Sequence, residues 1–282
     1  MIKLLAVDMD GTCLDGRSRM TDRTLETLRK AAKEGITVVP CTGRNLGCVP
    51  HRLAAGVLRE SKTEDDKKNQ GLFRYAITSN GAMVTDVKEK KTLFQALIKQ
   101  EDALSIVSAC SQEKFGVAAH VKHRYFAQGK LFTSAGRIVY GKDAAAVCCV
   151  RDMEAILVRS GCDVEELQFY FPTSKGKMKL KEILSRYPQV KAAYTGIYAE
   201  VFSAEASKGN GLKALASYLG VEKEEIACIG DGENDQFMFD ESGLKIAMGN
   251  AGETLKMQAD YVTLSNRHDG AAEAIEKYIL SI

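Results

Sequence analysis

Two aspartates stand two residues apart in Asp8-Met9-Asp10-Gly11-Thr12. A carboxylate can attack phosphorus to form an acyl phosphate, while a second carboxyl protonates the leaving alcohol and then activates water. Asp8 is the candidate nucleophile and Asp10 the candidate acid/base, and Gly11 lets the backbone turn sharply after them. A second acidic group, Asp231 with Asn234 and Asp235, follows the apolar run Ile226 to Ile229. Oxygen ligands drawn from two such strand ends can hold Mg²⁺, which takes few protein carboxylates and completes its shell with water and phosphate oxygens. The need for a cation is one of magnitude. Two like unit charges 4 Å apart repel by roughly 4 kcal/mol at an effective dielectric near 20, and a carboxylate facing a phosphate dianion meets about double that. Mg²⁺ and a lysine can offset this repulsion, and Lys208, in Ser207-Lys208-Gly209, is the candidate lysine. Thr42-Gly43 offers a hydroxyl and backbone N–H groups at a strand-to-helix turn, where anions bind.

These residues need elements to hold them. Ile2 to Val7 is a continuous apolar run, as in a central parallel strand buried on both faces. Thr21 caps a helix that Gly35 ends, Ile36 to Val39 is a second strand, and a helix is expected from about Asn45 to Leu58. The charged stretch Glu60 to Gly71 reads as a surface loop, and Tyr75 to Thr78 as a third strand closing at Ser79-Asn80-Gly81. From about Ala82 to Phe202 the alternation is less regular, with a helix at Asp102 to Cys110 and a hairpin-like stretch at Gly136 to Gly141. Regular reading returns with a strand at Tyr198 to Phe202, a helix from about Gly209 to Leu219, strands at Ile226 to Ile229, Leu244 to Ala247 and Tyr261 to Thr263, and a helix from about Gly270. Asp8, Thr42, Lys208 and Asp231 thus all fall just past the C-terminal ends of strands, where open α/β sheets collect their functional residues.

In order along the chain, Asp8-Met9-Asp10-Gly11-Thr12, Thr42-Gly43-Arg44, Ser79-Asn80-Gly81, Lys208, Gly230-Asp231-Gly232-Glu233-Asn234-Asp235 and Asn266 to Gly270 resemble the haloacid dehalogenase superfamily of phosphatases, specifically the Cof-type group. The resemblance implies an α/β fold, with a Rossmann-like parallel-sheet core at residues 1–82 and 203–282 and an inserted α+β (type IIB) cap at 83–202 that closes over the substrate. It implies a Mg²⁺-dependent phosphomonoesterase working through an aspartyl-phosphate on Asp8, with sugar phosphates favoured among small phosphorylated metabolites. Asp10 would be acid/base and lend its main-chain carbonyl to Mg²⁺, Asp231 would complete the metal set with Asp235 close behind, and Thr42, Gly43, Lys208 and Asn234 would hold the phosphoryl group. Arg44 and Asn80 would lie nearby. Cys13, where an aliphatic residue is usual, and the enlarged 60–71 loop depart from the pattern.

Other signals point elsewhere. Gly209-Asn210-Gly211-Leu212-Lys213-Ala214 has the spacing of a dinucleotide fingerprint, the alternative from another class, but Ser203 to Lys208 separate it from its strand. Gly136 to Lys142 has Walker A spacing with Asp143 in place of the Ser/Thr, in a stretch that favours a strand. A phosphotransferase or phosphomutase on the same site, or a non-catalytic sensor, would need the same residues. With 39 Lys+Arg against 37 Asp+Glu, a net charge of +2 does not suit a chain that coats nucleic acid or anionic lipid. The apolar start is too short for a signal sequence, no run reaches transmembrane length, and the 8 cysteines lack C-x-x-C or zinc spacing. A cytoplasmic protein with reduced thiols is expected, with monomer and homodimer both open.

Overall fold

A computed structural model describes residues 1–60 and 63–281. β1 (Leu4–Val7) is buried at every position. Thr21 caps α1 (Asp22–Lys33) by accepting from the backbone N–H of Thr24 at 3.1 Å. β2 (Thr37–Pro40), the short helices α2 (His51–Ala54) and α3 (Glu64–Lys67), and the strands β3 (Tyr75–Thr78), β4 (Met83–Asp86) and β5 (Lys91–Gln95) follow. The single helix expected over Asn45 to Leu58 is instead a 3₁₀ turn at Leu46–Cys48 and the one-turn α2. Pro50, between them, disfavours helical backbone at the residue before it. Residues 61 and 62 of the expected 60–71 loop lie outside the described residues, and α3 takes up part of the remainder.

Next come α4 (Gln100–Ala109), β6 (Gly116–Val121), β7 (Arg124–Gln128), α5 (Lys130–Tyr140), β8 (Val147–Val150), α6 (Met153–Ser160), β9 (Glu166–Tyr170), α7 (Ser174–Leu184), β10 (Val190–Tyr194) and β11 (Tyr198–Ser203). The strands form one sheet in the order β10-β11-β9-β6-β7-β8, antiparallel except between β7 and β8. Gly136 to Gly141, read as extended from its β-branched Ile138 and Val139, lies within and just beyond α5. Packing decides this, since Thr133 and Gly136 are buried while Ile138 is 81% exposed.

The chain then runs through α8 (Lys208–Leu219), β12 (Ile226–Gly230), α9 (Gln236–Asp240), β13 (Leu244–Ala247), α10 (Glu253–Gln258), β14 (Tyr261–Val262) and α11 (Gly270–Tyr278). A wholly parallel sheet runs β14-β13-β12-β1-β2, and a parallel bridge from Cys41 to Ile77 sets β3 beside the end of β2. Two compact units result, Met1–Gly43 with Val49–Gln95 and Ser207–Ile282, and Arg44–Cys48 with Ala96–Ala206. The break expected between Ala82 and Met83 falls in the link between β3 and β4, which pair from Tyr75↔Asp86 to Thr78↔Met83, so the hairpin stays with the core.

Burial in the core fixes the frame for the site. Leu4, Ala6, Val39, Ile77, Ile226 and Cys228 pack in one apolar cluster with Leu212 and Leu215 of α8. Each fully buried leucine contributes about 1.5–3 kcal/mol relative to exposure. Val7 pairs with Ile229, so the C-terminal ends of β1 and β12 lie side by side. β1 runs on to β2 on one side and β12 to β13 on the other, which places the strand-order reversal between β1 and β12. Among the described residues, no helix is long and apolar enough to cross a membrane.

Candidate active site

Asp8 is the first residue past β1, its N–H donating to Ile229 O at 3.0 Å, and it is buried. Asp231 is likewise the first residue past β12, one step beyond the level of Asp8. Between the two loops the packing is close. A Cβ on Gly11 would sit 2.3 Å from Asp231 Oδ2, and Gly11 has φ +86°, so both space and backbone demand glycine there. Thr12 Oγ1 donates to Asp231 Oδ1 at 3.0 Å.

Lys208 comes in from the opposite end of the chain. Ser207 caps α8 by accepting from the N–H of Asn210 at 3.0 Å, which makes Lys208 the first helical residue. Its ammonium is 1% exposed and donates to Asp8 Oδ1 at 2.6 Å and to Asp235 Oδ1 at 2.7 Å. The turn at Ser79-Asn80-Gly81 carries positive φ at three successive residues (49°, 54° and 87°), a strained path that functional sites often retain. It brings Gly81 so close to Ser207 that a Cβ would lie 2.0 Å from the Ser207 carbonyl oxygen, which seats the start of α8. Asn80 from the same turn accepts from Asn234 Nδ2 at 2.9 Å and would lie 3.2 Å from a Cβ on Gly43. Thr42 is buried, and its N–H donates to Ile77 O at 2.9 Å. Thr42, Gly43, Asn80 and Asn234 therefore meet around one turn.

Asp235 is fully buried with both oxygens engaged. Oδ1 accepts from Lys208, and Oδ2 accepts from the backbone N–H groups of Asp231 and Gly232, each at 2.9 Å. It shapes the loop that carries Asp231. Asp10 is exposed just past the β1 turn. Arg44 lies in the other unit, where its buried guanidinium donates to Asp143 Oδ2 at 2.8 Å. The dinucleotide alternative fails on packing. Gly209 lies in the first turn of α8, where a Cβ would meet Phe237 O at 2.2 Å, and a Cβ on Gly211 would meet Ile77 at 2.9 Å. These glycines fit helix to protein and leave no room for a pyrophosphate.

Asn250 is a residue that the sequence did not single out. Its Nδ2 donates to Gly11 O at 2.9 Å and to Asp231 Oδ2 at 3.1 Å, while its Oδ1 accepts from the N–H of Asn266. Asn266 in turn donates to Leu14 O at 2.8 Å. Asn250 follows β13 in Gly249-Asn250, at the same sheet edge as the other site residues, and that position was the only available signal.

Carboxylate oxygens of Asp8, Asp231 and Asp235 lie within 4.8 Å of one another. Burial pushes Asp8 well above the usual carboxylate range; Lys208 pulls it back, and the charges of Asp235 and Asp231 push it up further. Burial and the Asp235 charge move Asp231 up to about 6. Burial also works against the Lys208 ammonium, but Asp235 and Asp8 outweigh it and hold the lysine well above its ordinary range. Three carboxylates against one ammonium leave two negative charges in a small space, and the oxygen donor set suits a divalent cation.

A pH effect on stability follows. Asp231 binds its proton more tightly folded than unfolded, so between about pH 4 and 6 its contribution to stability falls as pH rises. With metal removed, Asp231→Asn should therefore melt several degrees above the parent at pH 8, a gain of up to about 3 kcal/mol for a shift of two pKa units. The difference should vanish below pH 4, and thermal melts at both pH values check it.

A family model for haloacid dehalogenase-like hydrolases matches residues 5–275 of the chain. The chain belongs to that family. This haloacid dehalogenase-like hydrolase is 29% identical to YxeH of Bacillus subtilis over the whole of both chains. It is 27% identical to the 5-amino-6-(5-phospho-D-ribitylamino)uracil phosphatase YcsE of the same organism, over 99% of this chain and 96% of that one. Among solved structures, a HAD-superfamily phosphatase of Bacteroides thetaiotaomicron matches with a TM-score of 0.74 and 27% identity, over 98% of this chain and 94% of that one. These matches make the chain an enzyme of the family's phosphatase type, with the parallel-sheet core and separate antiparallel cap sheet of that fold.

Proposed function

We propose that this hydrolase is a Mg²⁺-dependent phosphomonoesterase for small phosphorylated metabolites, sugar phosphates foremost, that works through an aspartyl-phosphate on Asp8. The observation that carries this reading is the buried contact of Lys208 with Asp8 beside Asp231. An Asp8 oxygen attacks phosphorus, the bond from phosphorus to the ester oxygen breaks, and the Asp10 carboxyl gives its proton to the departing alcohol. Asp10, now a carboxylate, takes a proton from water as that water attacks the same phosphorus. Inorganic phosphate leaves and Asp8 is restored. Lys208 holds Asp8 in place and faces the charge of the transferring group, while the Thr42-Gly43 turn and Asn234, joined through Asn80, grip phosphate oxygens.

Asp8, the Asp10 carbonyl and Asp231 would hold the cation, with Asp235 fixing the Asp231 loop. When bound, it supplies positive charge against the crowded carboxylates and the phosphoryl oxygens. The eight free thiols suit a cytoplasmic setting. The test is a phosphate-release screen over sugar phosphates, nucleotides and vitamin phosphates. Release should need Mg²⁺, stop with EDTA and return on adding Mg²⁺. Mg²⁺ at about 100 times its Kd should also stabilise the parent by about 2.7 kcal/mol in melts at pH 8. Asp231→Asn should lose that response. Full release in EDTA would sink the metal-dependent reading.

A further inference from the structure

The unit built on the six-stranded sheet holds a cavity of about 560 Å³ of its own, on the scale of small-molecule pockets. Sheet register explains how it forms. Gly116 on β6, Tyr170 on β9 and Tyr198 on β11 are direct partners across three strands, so they share one face. Glycine leaves a gap in that row, and the ring of Phe132 from α5 fills it, so close that a Cβ on Gly116 would lie 2.3 Å from the ring. Three aromatic rings then run side by side. Phe132 and Tyr170 have centroids 5.7 Å apart at 33°, and Tyr170 and Tyr198 are 5.4 Å apart at 31°.

The next row on the same face is Ala118, Gln168 and Glu200, which puts polar groups beside the rings. Gln168 is held rigidly. Its Oε1 accepts from the hydroxyls of Tyr125 at 2.8 Å and Tyr170 at 3.0 Å, and its Nε2 donates to Glu166 Oε1 at 2.7 Å. The same network fixes the Tyr170 ring, so the wall is preorganised rather than shaped by its ligand.

We infer that this cavity is a binding site for the planar ring of a small aromatic or heteroaromatic molecule. One ring face lies along Phe132, Tyr170 and Tyr198, and hydrogen-bond donors on the ring edge meet the Glu200 side. Rings tilted by 33° and 31° to one another form an aromatic wall against which a planar ring can pack in offset or edge-to-face contact. A polyol or free sugar fits poorly, because most of its hydroxyls would lose water without gaining a partner along an aromatic wall. The site is separate from the carboxylate cluster in its residues and needs no phosphate.

Riboflavin, a fluorescent planar ring without phosphate, tests the inference in titrations of the full chain. Its emission should be quenched saturably, with a Kd in the micromolar range. A hundredfold excess of ribitol or of inorganic phosphate should not displace it, and Asp8→Asn should bind it as the parent does. Ile197→Trp, which adds bulk at a lining residue that is 66% exposed, should weaken binding at least tenfold, as should Tyr198→Ala. Tyr198→Phe, which keeps the ring, should not, and circular dichroism would confirm that each variant folds. Absence of saturable binding by both riboflavin and pyridoxine would overturn the inference. So would equal binding by Ile197→Trp and Tyr198→Ala, or displacement by ribitol.

Discussion

Asp8→Asn should abolish release of phosphate from p-nitrophenyl phosphate, with kcat lower by roughly 10⁶-fold, the scale on which removal of a nucleophile acts in a serine protease. The loss should not come from unfolding. Burial and two neighbouring carboxylates raise the Asp8 carboxyl above its ordinary range, so at pH 8 its charge is a net burden on the folded, metal-free chain. The variant should then melt no lower than the parent at that pH. Asparagine keeps an oxygen that can accept from Lys208 at the position Asp8 Oδ1 now holds. A folded but inactive variant separates chemistry from structure, whereas an active one would move the nucleophile elsewhere.

Lys208→Ala should fail on both counts. The ammonium bridges Asp8 and Asp235 at 2.6 and 2.7 Å with almost no exposure, and among the described residues no other cationic side chain pairs with those two carboxylates. Removing one partner of a buried ionic group costs about 3–5 kcal/mol. The lysine's raised pKa makes its stabilising contribution fully present at neutral pH, and it is lost only as pH rises past the ordinary lysine range. The deficit of Lys208→Ala should shrink in acid, because the raised Asp8 carboxyl takes up its proton earlier than an ordinary one as pH falls, and chemical denaturation over a series running down from pH 8 would show this. Activity should fall roughly 10²–10³-fold further than the lost folded fraction explains, as for removal of one preorganised charge donor. Equal stability of parent and variant at pH 8 would mean that the contact contributes little.

The residues that converge here were legible because each ends a strand. An apolar run stopped by Asp8, a second stopped by Asp231, and Thr42 after β2 all mark one sheet edge, and parallel α/β topology brings such ends together. Lys208 was readable in the same way, as a lysine following the apolar stretch Tyr198 to Phe202, while its place as the first residue of α8 behind the capping Ser207 comes from the structure. Asn250 was not readable, because its value lies in bonds to Gly11 and Asp231, the first across 239 residues, and short polar side chains in turns carry no mark of distant partners. Asn80 was marked only by the family resemblance, and its left-handed backbone, which brings it against Gly43 and Asn234, was not legible in the residues themselves.

The misread elements fail for local reasons. Pro50 divides what looked like one helix into a turn and a short helix. Residues 136–140 carry β-branched side chains yet belong to α5, because helical spacing buries Thr133 and Gly136 together. The six-stranded sheet gave few signs in sequence, since Gly116, Tyr170 and Tyr198 become one row only through register between strands far apart in the chain. The basis of the inferred ring site was therefore invisible before the fold.

Acid quenching of the enzyme during turnover with p-nitrophenyl phosphate and Mg²⁺, followed by mass spectrometry of the peptide that spans residues 1–17, tests the central claim most directly. One phosphoryl group should appear on Asp8 within the first turnover, decay as substrate runs out, and be missing from Asp8→Asn. Sustained phosphate release with Asp8 never modified, or with the phosphoryl group on another side chain, would contradict the account.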